Sequence, residues 1–464
     1  MKHYLFKILL FVFISWNLGL SKEIYVDPKM GSDKTGLGTK SSPYKSLTFA
    51  LRKVNQGDKI IAWPGFYSSK NGEVFPIVIP TGITIIGSGM RNTFIVCDKP
   101  WEKALKIDVS RYKSKELTLK GFTIQNGITC LELFIRNTTN KYSFHIESIA
   151  FESSGIGGDL AISSGELDLK LKRCIFRGAA LNGIRVNAFG GKINLDISSS
   201  VIAFNGCEGM LLNVSSPMAS AKIEMVHSTV TGNNRYGING YNCTGSFCKI
   251  DIYNSIVWGN KPVNIFKFGN IYISHSLVGD RSYSGKNGNK FGDPVFAIKG
   301  DWHISYMSPA RGLGSSNIPS MPNNDIDNQA YPKGKAPDAG ADQFVLHSLI
   351  ECQAGMISGR DYSLLLLTKP ESFYSVYISG AVTQNSFKLP GFSGEFVLDM
   401  IFGIVKFMEG KTNKLGSIVF KRPMPCSEGL HGFVLYFQGF DLKIEGSRYE
   451  GGFTNLVAQT FIAP

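Results

Sequence analysis

Charge is scarce in this chain of 464 residues, with Asp, Glu, Lys and Arg together making up only 18%. No CxxC pair and no cysteine–histidine cluster at zinc spacing occurs, which argues against a structural zinc. There is no phosphate loop, dinucleotide fingerprint or serine–histidine nucleophile motif, so nucleotide-dependent enzymes and serine hydrolases lose their usual support. Beyond the first residues no apolar run approaches the roughly 20 residues a helix needs to span a bilayer. Amphipathic helices of ten or more residues are missing too, which excludes the helical solenoids, and no leucine consensus supports a leucine-rich repeat.

What is present points elsewhere. Fifty-one glycines stand among 32 phenylalanines and 18 tyrosines, the mark of an all-β chain with many tight turns. A hydrophobic content of 43% excludes disorder, and the length suits two or three domains. Residues 1–21 read as a signal peptide: Lys2 and Lys7 precede the apolar stretch Ile8 to Ile14, and Gly19 and Ser21 suit cleavage before Lys22. Removing Lys2 and Lys7 takes the formal charge from +13 to +11. Outside a cell that balance suits acidic polysaccharides or anionic surfaces rather than nucleic acid. Of eight cysteines, Cys243 and Cys248 bracket a short polar loop and are expected to pair, with Cys352–Cys426 the next candidate. Cys97, Cys130, Cys174 and Cys207 are expected to pack as small apolar residues.

The middle of the chain repeats itself. Ile124, Phe151, Phe176, Ile202, Val230 and Val257 each end a similar piece, at spacings of 27, 25, 26, 28 and 27, and Val278 follows after 21. Just upstream of each lies an alternating apolar pair, such as Leu169/Leu171, Leu195/Ile197 and Ile223/Met225. Period-two alternation marks strands with one buried face. A turn and a third short strand follow, as in Gly183-Ile-Arg-Val and Gly209-Met-Leu-Leu. Three short strands in about 27 residues is one coil of a right-handed parallel β-helix, which buries its interior only by stacking on neighbouring coils. Asn205, Asn233 and Asn260 recur at one coil position and are expected to hydrogen-bond along the axis. Ser46 to Val54, with Leu47, Ala50, Leu51 and Val54 on one face, is the clearest helical pattern and suits a plug for the first coil.

Tyr25-Val-Asp-Pro, Gly31-Ser-Asp, Pro43-Tyr-Lys-Ser-Leu, Gly57-Asp-Lys-Ile and Pro64-Gly-Phe-Tyr resemble the opening module of bacterial secreted pectate-lyase-like β-helix proteins. Asp293-Pro-Val-Phe, Gly300-Asp-Trp-His-Ile, Ser308-Pro-Ala-Arg-Gly-Leu-Gly, Asp325-Ile-Asp-Asn-Gln and Pro332 to Ala341 resemble the closing segment of the choice-of-anchor Q β-helix family. Asp342-Gln343 departs from the usual aromatic–glutamate ending, and Tyr331 stands where arginine is common. The resemblance covers about residues 23 to 345. It implies an exported bacterial protein and leaves the chemistry open, since most members have no assigned reaction. The expected organisation is a signal peptide over 1–21, the β-helix with its helical cap over 22–345, and a smaller antiparallel β-sandwich over 346–464. That last segment has strand-like runs separated by Gly, Pro and Asn turns. It is expected to cap the coil stack or to bind a surface or glycan.

Stacking the coils aligns the outward residues of the first strand: Thr118, His145, Lys170, Asp196, Glu224, Asp251 and Tyr272. Asp196, Glu224 and Asp251 would project about 5 Å apart and suit calcium, which takes oxygen ligands flexibly. Calcium on a uronate carboxylate acidifies the neighbouring C–H, and a lysine can then abstract that proton. Lys170 is the candidate base, with Arg177 and Arg185 as candidates to hold substrate carboxylates. Tyr253, Trp258 and Tyr272 are candidates for a sugar-stacking platform. Exposed strands also carry charges routinely, and the alternative role for Lys170 is simply to neutralise the acidic row. Three readings follow in order: a non-catalytic binder of extracellular or surface polysaccharide, a calcium-dependent lyase of an acidic glycan, and a passive surface protein.

Overall fold

The computed structural model describes residues 21–463 apart from 244–246, 267–268, 352–355, 391 and 401–402. The signal-peptide expectation, and the Cys352 half of the second expected disulfide, therefore lie outside the described residues. The chain is all-β. Its first part is a parallel β-helix, and antiparallel sheets follow from Ser348 onward.

Each coil contributes strands to three walls. Glu166–Lys172, Lys192–Ser198 and Ser220–Val226 belong to the first wall, Ile175–Arg177, Val201–Ala203 and Thr229–Thr231 to the second. Ile184–Ala188 and Met210–Val214 belong to the third, an eight-stranded parallel sheet that counts the coils. The second-wall register pairs Ile124 with Phe151, Phe151 with Phe176, Phe176 with Ile202, Ile202 with Val230 and Val230 with Val257. All six are buried, so the 27-residue period does build one internal column. Within it Phe151 and Phe176 stack with centroids 4.4 Å apart.

Two hydrogen-bonded ladders run parallel to that column. Asn205 Nδ2 donates to Asn233 Oδ1 at 2.8 Å, Asn233 Nδ2 to Asn260 Oδ1 at 2.8 Å, and Asn260 Nδ2 to Asn264 Oδ1 at 3.0 Å. The asparagine row is thus one step longer than its coil spacing suggests. At Gly209 a Cβ would lie 2.7 Å from Asn233 Nδ2, so only glycine lets the third wall approach the row. The second ladder is made of serines. The backbone N–H groups of Ser200, Ser228 and Ser255 donate to the hydroxyls of Ser228, Ser255 and Ser276.

One residue in the left-handed region turns the chain from the first wall into the second. In successive coils this bend is Ser148, Arg173, Ser199, His227, Asn254 and His275, with φ between 45° and 54°. Non-glycine residues adopt this conformation at some cost, so compensating contacts are expected. They come from the closing segment, residues 293–345, which runs along the column of bends. Arg173 Nη1 donates to Asn328 Oδ1, the Ser199 hydroxyl donates to the Asn324 carbonyl, and Asn254 Nδ2 donates to the Ser315 carbonyl. The His227 ring lies 4.3 Å from that of Tyr331.

The same segment covers the outer face of the second wall. Trp302, Ile326 and Ala341 pack on Ala150, Ile175, Val201 and Ala203, while Ile304, Leu313 and Ala339 pack on Ile256 and Leu277. Near the start, the short helix α1 (Leu47–Lys53) begins at the cap Ser46 and buries Leu47, Ala50 and Leu51 as its pattern requires. From Ser348 onward, Leu349, Tyr362, Leu364 and Phe420 of one antiparallel sheet meet Tyr374, Val376 and Phe437 of another. This unit lies against the flank of the β-helix: Ile357 and Ile462 pack on Phe94, and Leu365 and Leu367 on Ala297. Cys243 and Cys248 form the expected disulfide. Cys97, Cys130 and Cys174 are buried thiols, whereas Cys207 is only half-buried.

Candidate functional site

The first-wall register places Lys170 beside Asp196, Asp196 beside Glu224, Glu224 beside Asp251 and Asp251 beside Tyr272. Lysines are threaded between the acids. Lys249 Nζ sits 2.7 Å from Asp251 Oδ2, and Asp251 is buried. Burial raises the Asp196 pKa, and Lys170 and Lys222 pull it back. Among the described residues, Asp196, Glu224 and Asp251 do not gather their oxygens into a group of metal-ligand dimensions.

The two candidate arginines already hold carboxylates of the preceding coil. Arg177 Nε is 2.9 Å from Glu152, and Arg185 grips Asp159 through Nε at 2.9 Å and Nη2 at 2.6 Å. Arg177 also lies over the Trp302 ring, beneath the closing segment. Arg185→Ala is expected to change stability by less than about 1 kcal/mol, because the pair is partly exposed and screened. Thermal melts in low and high salt check this. Of the aromatic candidates, Tyr253 and Tyr272 are neighbours with centroids 5.7 Å apart. Trp258 is on the second wall, edge-on to Phe291, so it joins a different surface.

A cleft of about 540 Å³ opens where the first coils meet the closing segment. Gly87, Gly89 and Gly121 line it together with Arg91, Lys120, Ser148, Arg173, Asp327 and Asn328. Glu147 anchors the cations at its edge. Arg173 Nη2 reaches it at 2.7 Å, Lys120 Nζ at 3.2 Å, His145 Nε2 at 3.3 Å and Lys172 Nζ at 3.8 Å. Burial pushes the Glu147 pKa up, but its hydrogen bonds with His145 and Lys120 and the charge of Arg173 bring it below the ordinary value. One carboxylate facing three permanent cations and a histidine leaves a local surplus of positive charge.

Under one wall of this cleft lies a buried acidic cluster. His303 is fully buried, with Nδ1 2.8 Å from Asp301 Oδ1 and Nε2 2.8 Å from Asp327 Oδ2. Asp327 also faces Arg91 at 3.7 Å and reaches the cleft. Asp342 Oδ2 accepts from the Ile304 N–H at 2.8 Å, and Asp325 accepts from the backbone of Asp327, Gln329 and Gln343. Burial opposes charge on His303, yet Asp301 and Asp327 outweigh it and hold its pKa well above the ordinary value. Burial, reinforced by Asp327 and Asp342, pushes Asp325 up to about 8. Burial pushes Asp342 up to about 7 against the pull of His303. In the sequence these residues were visible only as motif pieces, Asp301-Trp-His, Asp325-Ile-Asp and the Asp342 ending. Only folding brings the three pieces to one point.

A family model described as a protein of unknown function, DUF1565, matches residues 29–245. No curated protein matches. Among solved structures, the chain is similar to pectate lyase Pel9A at 15% identity over 71% of this chain and 98% of that one, with a TM-score of 0.38. A rhamnogalacturonan lyase matches at 11% identity over 55% of this chain and 87% of that one, with a TM-score of 0.31. A PL6 family alginate lyase, AlyGC, matches at 11% identity over 55% of this chain and 40% of that one, with a TM-score of 0.32. The coil register defines the class of this protein: an all-β protein built on a parallel β-helix. No helix among the described residues is long and apolar enough to cross a membrane.

Proposed function

We propose that this is an exported bacterial β-helix protein of the choice-of-anchor Q type that binds an acidic polysaccharide without cleaving it. The cleft carries the reading. Arg173 and Lys120 present donors beside a glycine-lined floor, and their anchoring on Glu147 fixes them before a ligand arrives. The net formal charge, +13 for the full chain and +11 once Lys2 and Lys7 are removed, favours approach of a polyanion. The disulfide between Cys243 and Cys248 supports an oxidising compartment.

The test is a binding titration against polygalacturonate, alginate and a glycosaminoglycan, with a neutral glucan as control and salt varied. Lys120→Ala and Arg173→Ala are each expected to weaken binding of the acidic chain by about tenfold. Equal binding of the neutral glucan, or no loss in either variant, would overturn the reading. The lyase alternative rests on Lys170, exposed and in register with Asp196. It predicts calcium-dependent absorbance from unsaturated products that Lys170→Ala abolishes. No such absorbance is expected.

A further inference from the structure

We propose that His303, Asp327 and Asp342 form a binding site for a divalent transition-metal ion, Zn2+ or Mn2+ in chemical class, in the closing segment beside the cleft. The proposal does not depend on the glycan reading. One ligand atom from each of the three residues lies within 4.8 Å of the others. His303 is fully buried and Asp342 is 1% exposed, so water cannot solvate the cluster as it does a surface acidic patch.

A second observation points to a missing ligand. Asp342 Oδ1 is buried and has no hydrogen-bond partner, while Oδ2 of the same carboxylate is held by Ile304 N–H. An ionised oxygen in that position is costly unless a cation or proton meets it. The cluster as a whole has the same deficit. Among the described residues, Asp301 and Asp327 pair with His303, Asp327 also faces Arg91, and Asp342 feels the charge of His303, while Asp325 is crowded by Asp327 and Asp342.

The surroundings of His303 match those of a metal-bound imidazole. Asp301 accepts from Nδ1–H, which fixes the ring and leaves Nε2 directed at Asp327. A carboxylate behind the imidazole raises its basicity as a ligand. Without metal, the proton on Nε2 bridges to Asp327. Metal binding replaces that proton and releases it to solvent, so affinity falls in acid. One nitrogen with carboxylate oxygens suits Zn2+ or Mn2+ better than Ca2+, which prefers six to eight oxygens. Asp327 reaches the cleft, which gives an ion its entry path.

The experiment uses the full mature chain, stripped with chelator and then titrated with Zn2+, Mn2+ and Ca2+ separately. Elemental analysis of the dialysed protein is expected to find about one Zn2+ or Mn2+ per chain. The melting temperature is expected to rise by roughly 3 °C at a hundredfold excess over Kd. Asp342→Asn, nearly isosteric, should stay folded but lose that bound equivalent and the shift. Bound metal that persists in both Asp342→Asn and His303→Gln would place the ion elsewhere and overturn the assignment. So would a wild-type protein that retains no stoichiometric metal and melts at one temperature with or without it. A shift with Ca2+ alone would overturn the ion class.

Discussion

Replacing Asn233 with leucine is expected to lower the unfolding free energy by roughly 4 kcal/mol. The side chain is fully buried, and leucine keeps its branching at Cγ, so the lost hydrogen bonds set the lower bound of the effect and the larger methyl groups pressing on Gly209 add to it. Asn233 Oδ1 accepts from both the backbone N–H and the Nδ2 of Asn205, at 3.1 and 2.8 Å. Its own Nδ2 donates to the Ile202 carbonyl and to Asn260 Oδ1. Leucine makes none of these bonds. Asn205 Nδ2 would keep the Phe176 carbonyl, but the Asn205 N–H would be left buried without an acceptor. That orphan costs about 1–3 kcal/mol, and each of the other lost bonds adds about 1 kcal/mol. Urea unfolding of the two proteins measures the difference. A loss below 1 kcal/mol would mean that the row does not hold the coils in register.

The coil interior was legible in the sequence because its period repeats at every turn. Ile124, Phe151, Phe176, Ile202, Val230 and Val257 sit at one register position, and a missed step would have turned every neighbouring strand inside out. The asparagine row was legible for the same reason. What covers the outside was not. The bend column, Ser148, Arg173, Ser199, His227, Asn254 and His275, has no common chemistry to betray it. It unites residues by backbone conformation alone, and Arg173, Ser199, His227 and Asn254 each meet the closing segment through a different chemistry. Arg177 shows the consequence. As an outward residue of a short strand it reads as a free cation, yet the closing segment puts Trp302 over it and Glu152 holds it from beside. Outward from the coil is not outward to solvent wherever residues 293–345 lie across the second wall.

That covering also explains where the polar chemistry collects. A segment with little regular structure, laid over an apolar wall, must find partners for its backbone groups away from water. Asp325 supplies three of them, by accepting from the N–H groups of Asp327, Gln329 and Gln343. Asp342 supplies one more to Ile304. Carboxylates are effective acceptors for this purpose, but crowding them raises the cost of ionising each. Structure and strain thus come from the same residues.

Stability of the metal-free protein, with chelator present, is expected to fall as pH rises from 6.5 to 8, by on the order of 3 kcal/mol. Asp325 is one contributor. Its pKa is about 8 in the folded chain against an ordinary 3.8, so across this window the native state holds a proton that the unfolded chain has released. A state that binds more protons loses stability as pH rises. His303 acts in the same sense, since its folded pKa lies well above 6.5 and the unfolded imidazole has begun to lose its proton. Asp342 and Glu73, each held at about 7 in the first place by burial, add to the fall until that pH is passed. His227 works the other way, because burial depresses its pKa to about 3, but its opposing contribution is small here and fades as the unfolded imidazole loses its proton just above 6.5. Asp342→Asn removes one charge from beside Asp325, so it should flatten the slope and raise the melting temperature at pH 8 above that of the wild type. Melts at pH 6.5, 7.25 and 8 decide the matter, and a wild-type profile that is level or rises would mean that the buried cluster carries no shared protons.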